Sequence, residues 1–372
     1  MPRLTTLAAL LLACTGLALA ACTSSPSSSP SPPAPGVVAT TPTSDASSST
    51  DPTEGTWTFE DGTTGRLIAT PSYRIFTTMD HGPTTDRVPR FLEQALEWYT
   101  TALGELPRPS RRMDTFLMET RSQWERLTRR SMGDDAEIYL RIQRGGFAAG
   151  GRAMYFYIGQ RDTLVIAAHE GWHQYTQSTF RSPLPIWLEE GIATYMEGFR
   201  WGRRGDSLPR FSPWSNPERF DTLRAAARAG RLMSLEQLLH TAPQDLMTGG
   251  GGGGAGGGGA DGALDYYAQV WALVHFLNEA EDGMYQVALT NMVREAANGT
   301  LMKHFKDAYG SRALSIYASR RRGPELMLLY TKKPLPVLER EYADFVAKAT
   351  SLGARTRIIA GESPLTPVAP AP

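Results

Sequence analysis

Residues 167–177 read AAHEGWHQYTQ. His169 and His173 stand four apart, so on a helix both imidazoles leave one face and can converge on a single ion. Glu170 lies one residue on, rotated about 100° around the helix axis. From there its carboxylate can reach a water on that ion without itself becoming a ligand. H-E-x-x-H is thus a mechanical arrangement: two neutral nitrogens for zinc, and a carboxylate base beside the open position. The plainer alternative is an amphipathic helix that carries two of the chain's six histidines. Against the metal reading, Gly171 costs such a helix roughly 1 kcal/mol relative to Ala.

A catalytic zinc takes a third protein ligand and keeps one position for water. Residues 185–198, PIWLEEGIATYMEG, offer two adjacent carboxylates. On a helix Glu190 shares a face with Trp187 and Thr194, and Glu189 with Ile186 and Ala193. Periodicity does not separate them. The stretch Trp187–Gly191 resembles the W-L-x-E-G segment whose glutamate completes the site in gluzincin peptidases, and that resemblance implies Glu190 as the third ligand. Thr194 departs from the pattern of thermolysin-like enzymes, which carry an aspartate there that orients a histidine. A different group must do so in this chain.

Other stretches point the same way. LIATPSYRIFTT followed by a helix, then TFLMETRSQWERL, then a hairpin and HExxH, is similar to the peptidase MA-like domain of bacterial envelope proteins. YYAQVWALVHFL, residues 266–277, also resembles a segment of such domains. The likeness spans about residues 65–345 and implies an α+β, zincin-like fold. Its N-terminal mixed α/β lobe would carry the HExxH helix, and its C-terminal lobe would be mainly helical. It also implies an oxyanion donor from the C-terminal lobe. Tyr266, Tyr267, His240 and His275 are candidates, and the Y-A-Q likeness favours Tyr267. At helical spacing Tyr267 can equally pack with Trp271, and His275, among Val274, Phe276 and Leu277, reads as a core histidine.

The elements that must position these groups are legible from periodicity. Strands are expected at Thr56–Phe59, Arg66–Thr70, Tyr73–Thr78 and Met113–Met118, with helices over 87–103, 122–130 and 162–177. Residues 137–142 and 153–158 read as a hairpin around GGFAAGG, the second strand forming a cleft edge that binds substrate backbone by strand addition. Helices follow at 186–198, 217–229, 234–240, 265–279, 283–297 and 335–350. The glycine-rich stretch 248–263 reads as a low-complexity insertion at a loop tip rather than a flap.

The 372 residues carry 38 basic and 38 acidic side chains, a net charge of zero that gives no argument for nucleic acid as a partner. The start, MPRLTTLAALLLACTGLALAAC, has a short basic region, an apolar run and small residues before Cys22, as a secretory signal does. Its end resembles the lipobox of bacterial lipoproteins, implying removal of residues 1–21 and lipidation of Cys22. Residues 22–54, nearly all Ser, Thr, Pro and Ala, then read as a solvated tether from the membrane. The folded domain is expected over 55–355, with a disordered tail over 356–372.

The expectation is therefore an exported, lipid-anchored zinc metallopeptidase acting on peptide or protein substrates, with His169, His173 and Glu190 on Zn²⁺ and Glu170 as general base. A non-catalytic binding lipoprotein with the same fold is the rival, and a zinc hydrolase of non-peptide amides a third reading. Cys22→Ala should move the protein out of the membrane fraction or leave an unprocessed precursor. Unchanged membrane association, with an unmodified Cys22 by mass spectrometry, would contradict the anchor.

Overall fold

The computed structural model describes residues 51–59, 61–202, 208–247 and 260–366. The expected signal segment 1–21, Cys22, most of the tether, residues 248–259 of the glycine-rich stretch and the last six residues lie outside them. The architecture is mixed α/β, with a mixed sheet against which helices pack on both faces.

The first half builds the sheet. Strands β1 (Thr53–Thr58), β2 (Thr64–Ala69) and β3 (Tyr73–Thr77) form an antiparallel meander, after which helix α1 (Val88–Thr101) crosses to strand β4 (Met113–Met118). Helices α2 (Arg121–Met132) and α3 (Ala136–Tyr139) lead to the hairpin of β5 (Gly146–Ala149) and β6 (Arg152–Phe156). The sheet order is β1-β2-β3-β4-β6-β5, with β3, β4 and β6 parallel and β5 antiparallel at the edge. Alternation along each strand sorts side chains between two cores. Leu117, Ala153 and Tyr155 face the larger core, under α1 and the HExxH helix; Phe116, Met118, Met154 and Phe156 face the smaller one, with Trp124 and Phe147.

Helix α4 (Gln160–Thr179) carries HExxH and runs through the larger core, buried on nearly all sides from Thr163 to Thr176. The second half supplies its cover. Helix α5 (Ile186–Met196) packs on α4, followed by the ribbon β7 (Phe199–Trp201) and β8 (Pro209–Phe211). Then come α6 (Pro217–Arg228), α7 (Leu235–His240), α8 (Pro243–Met247) and α9 (Ala260–Gly283), which lies along α5. Helices α10 (Gln286–Asn298), α11 (Leu301–Arg320), α12 (Glu325–Thr331), α13 (Leu335–Ala349) and α14 (Ala354–Ala360) complete the chain.

Four expectations are corrected. Residues 137–142 are not a strand: Ala136–Tyr139 is helical, and the hairpin's first strand is Gly146–Ala149, inside GGFAAGG itself. Glycine and alanine obscured it, because they carry no alternating pattern. The strand read at 153–158 is consequently interior, between β4 and β5, and cannot receive a substrate strand; the edge strand on that side of the sheet is β5. The last residues of the glycine-rich stretch, 260–263, form the first turn of α9. Finally, residues 356–366 of the expected tail are ordered: α14 buries Ile358, and Ser363 donates to Glu279 Oε2 at 3.0 Å.

Two helix glycines are explained by close approach. A Cβ on Gly191 would lie 2.8 Å from both Val270 O and Val274 Cγ2, so glycine lets α5 and α9 pack tightly. A Cβ on Gly171 would lie 2.6 Å from the hydroxyl oxygen of Tyr99, which donates to Ala168 O at 2.6 Å. Gly171→Ala should therefore destabilise the protein by about 1–3 kcal/mol, as overpacking does. Helix propensity alone predicts the opposite sign, about 1 kcal/mol of stabilisation. Equilibrium urea unfolding decides between them.

Candidate metal centre

His169 and His173 leave α4 toward α5, and neither they nor Glu170 is more than 2 % exposed. Glu190, on the first turns of α5, comes to meet them and is fully buried at 0 %. The two imidazole Nε2 atoms stand 3.3 Å apart, and Glu190 Oε2 lies 3.6 Å from His169 Nε2 and 3.5 Å from His173 Nε2. A tetrahedral zinc with ligand bonds of about 2.0–2.1 Å has ligand–ligand edges of about 3.3 Å. Three neutral or anionic donors thus form one face of a tetrahedron, and this buried His-His-Glu group can hold a metal ion. It is the only such group among the described residues.

Each imidazole is aimed by a carboxylate on its other nitrogen. His169 Nδ1 lies 2.8 Å from Glu197 Oε1, and His173 Nδ1 lies 3.0 Å from Glu189 Oε1. Such bonds set the tautomer that leaves Nε2 free for the ion. Glu197 is itself held from α6: Arg219 donates through Nε at 3.0 Å and an Nη at 2.8 Å, and Asn216 Nδ2 at 2.8 Å. Glu189 Oε1 also accepts from Thr176 Oγ1 at 2.7 Å. Thr194 plays no orienting part; its hydroxyl turns back on α5, donating to Glu190 O at 3.0 Å and Gly191 O at 2.8 Å.

The two adjacent glutamates that periodicity left open are now separated: Glu190 points into the donor triangle and Glu189 to the back of His173. Glu197 and Arg219 were missed. The signal was there for Glu197, which stands seven residues, or two turns, beyond Glu190 on the same face. Nothing marked Arg219, because it arrives from another helix.

The electrostatics follow from burial. Burial works against charge on His173, but Glu190 and Glu189 outweigh it and push the imidazole up to about 10. His169 also moves up, burial being outweighed by Glu190 and Glu197. Glu190 is held down to about 2, where the histidines overcome its desolvation. Glu197 is likewise held to about 2 against its burial, chiefly by Arg219. Glu170 alone goes the other way: burial pushes it up to about 7, and its Oε2 has no hydrogen-bond partner.

The other candidates separate by position. The Tyr267 ring, buried at 1 %, meets His169 edge-on with centroids 6.1 Å apart, and Arg219 sits 5.3 Å above it. It is thus beside the centre, whereas Tyr266 is a buried neighbour whose hydroxyl has no hydrogen-bond partner. His275 is not at the centre. Its ring stacks on Trp214 at 3.6 Å and its Nδ1 lies 3.0 Å from Glu279, as a core histidine's would. His240, at the exposed end of α7, is not there either.

No protein-family model and no curated protein matches the chain.

Glu197→Gln and Glu189→Gln should each lower metal affinity roughly 10- to 100-fold, by loosening one imidazole. Glu190→Gln, His169→Ala and His173→Ala should lose more, since each removes a donor. Competition against a chromogenic chelator ranks all five; wild-type affinity in both Glu197→Gln and Glu189→Gln would refute the orienting roles. Because the raised histidines hold protons that a metal must displace, binding at pH 7–8 should release protons and weaken as pH falls. Calorimetry in buffers of different ionisation enthalpy reads that release.

Proposed function

We propose that the protein is a zinc-dependent metallopeptidase of gluzincin type, exported and lipid-anchored through Cys22 at a bacterial cell envelope. One observation carries the reading: three buried donors at 3.3–3.6 Å spacing, with an uncommitted carboxylate, Glu170, on the same helix. The zincin-like reading of the fold is supported by α4 lying across the sheet, with antiparallel β5 at the edge nearest it. The anchor rests on the lipobox-like residues before Cys22, and among the described residues no helix is long and apolar enough to cross a membrane.

When bound, zinc supplies a Lewis acid and lowers the pKa of water from about 15.7 to about 7. The chain's own residues do the rest. His169, His173 and Glu190 hold the ion, with Glu197 and Glu189 fixing the two rings behind it. Glu170 takes the proton of the attacking water as its oxygen adds to the scissile carbonyl, then gives it to the departing amine. Burial raises that carboxyl above the usual carboxylate range, which suits a group that must both take and return a proton. Tyr267, beside His169, donates to the developing oxyanion. Burial of the whole centre excludes bulk water and strengthens each of these interactions.

A mixed peptide library incubated with wild type and Glu170→Gln tests the reading. Wild type should cleave, and Glu170→Gln should keep its zinc yet lose roughly 10²–10⁴ in rate for the missing base. Tyr267→Phe should also keep zinc and lose roughly 10²–10³ in kcat, as for one oxyanion donor. Full cleavage by Glu170→Gln would remove the peptidase mechanism; zinc binding with no cleavage of any peptide by wild type would favour the binding lipoprotein.

A further inference from the structure

Beside the metal centre a cavity of about 460 Å³ opens between the end of α4, the segment that follows it, and the β5–β6 turn. That volume is within the range of small-ligand sites. His173 and Glu189 are shared between the cavity wall and the metal centre, and the cavity also reaches Ala149, the last residue of the edge strand β5. A group of a bound peptide lodged here would lie against His173, on the Glu189 side of the centre.

Two arginines, Arg181 and Arg321, line it. Three other guanidiniums of the second half are neutralised: Arg322 pairs with Asp245 at 2.6 Å, Arg231 with Asp265 at 2.8 Å, and Arg219 with Glu197 at 2.8 Å. Arg181 and Arg321 have no carboxylate partner among the described residues. Arg321 is nonetheless fixed, since its Nε donates to Leu184 O at 2.8 Å, which leaves its terminal nitrogens for another acceptor. The stem of Arg181 rests on Gly299, where an added Cβ would lie 3.0 Å from Arg181 Cβ. Against these two cations the wall offers one anion, Glu189, whose Oε1 is already taken by His173 Nδ1 and Thr176 Oγ1. Between the two arginines and Glu189 the wall carries an excess of one positive charge.

We propose that this cavity binds a carboxylate of the peptide substrate adjacent to the scissile bond, and that Arg181 and Arg321 determine that specificity. The proposal rests on the peptidase reading of the neighbouring centre. Fixed guanidiniums recognise carboxylates by charge-assisted, two-pronged hydrogen bonds that an amide of the same shape cannot equal. The carboxylate has two sources, an Asp or Glu side chain or the free C-terminus of the peptide.

The test uses the full chain, loaded with zinc, and matched fluorogenic peptides. One set carries Glu or Gln at each position flanking the cleaved bond; the other has a free or amidated C-terminus. Wild type should prefer the carboxylate form by roughly 10-fold or more in kcat/KM, the value of a charge-assisted pair. The set that shows the preference identifies the source. Arg181→Gln, at an exposed position, should reduce the preference to near unity, Arg181→Glu should invert it, and Arg321→Gln should act in the same direction as Arg181→Gln. Equal cleavage of charged and amide peptides by wild type, or an unchanged preference in both arginine variants, overturns the proposal.

Failure of the peptidase reading shows differently, as no cleavage or as cleavage that survives Glu170→Gln. The cavity is then decided by fluorescence anisotropy of the same peptides on the Glu170→Gln protein. Carboxylate-dependent binding that Arg181→Gln abolishes supports it; absent or charge-blind binding overturns it.

Discussion

Four carboxylates are buried around two imidazoles, and everything else near the centre depends on how their charge is met. Glu170, Glu189, Glu190 and Glu197 are each no more than 6 % exposed. An uncompensated carboxylate in such surroundings costs several kcal/mol. Arg219, equally buried, answers Glu197. The remainder is met by two positive charges at the imidazoles, carried by protons or by one dication held between them. The same mutual attraction raises both histidines and lowers Glu190 against their burial. A cluster of this composition is poorly stable as a purely structural core and well suited to a divalent cation.

Helix α4 bears the geometric side of the same constraint. It must present His169 and His173 inward from one face, a turn apart, while remaining buried, so its polar face cannot point to solvent as an amphipathic helix's would. Close packing supplies the rest. Tyr99 presses on Gly171 and bonds the backbone at Ala168, and Gly191 lets α9 approach α5 from behind. Gln174 ties α4 to the sheet, accepting from Thr115 Oγ1 and donating to Asp114 O. The donor triangle is therefore set by rigid elements rather than by loops, which is what keeps a metal site's distances narrow.

Much of this was legible from residue order. H-E-x-x-H needs only helical spacing to be read, and strand Met113–Met118 came out with its observed ends because alternating apolar residues are bounded by turn signals. Choosing Glu190 over Glu189 needed a resemblance, since both lie on one helix and neither's face is marked. The partners behind the histidines were beyond reach for a physical reason. Arg219 and Asn216 are brought to Glu197 by the packing of α6, and no local pattern records a tertiary contact. The hairpin strand Gly146–Ala149 was hidden because glycine and alanine have no periodic signature, and the segment 354–360 because a short helix with one buried Ile358 leaves little pattern.

The central claim is that one divalent cation sits among His169, His173 and Glu190. Anomalous diffraction from crystals of the zinc-loaded protein, recorded on both sides of the zinc absorption edge, tests it most directly. The account predicts a single strong difference peak about 2.0–2.2 Å from His169 Nε2, His173 Nε2 and a Glu190 carboxylate oxygen. Glu170 should stand clear of direct coordination. A zinc peak elsewhere, no peak at the triangle, or Glu189 in place of Glu190 as ligand would contradict it.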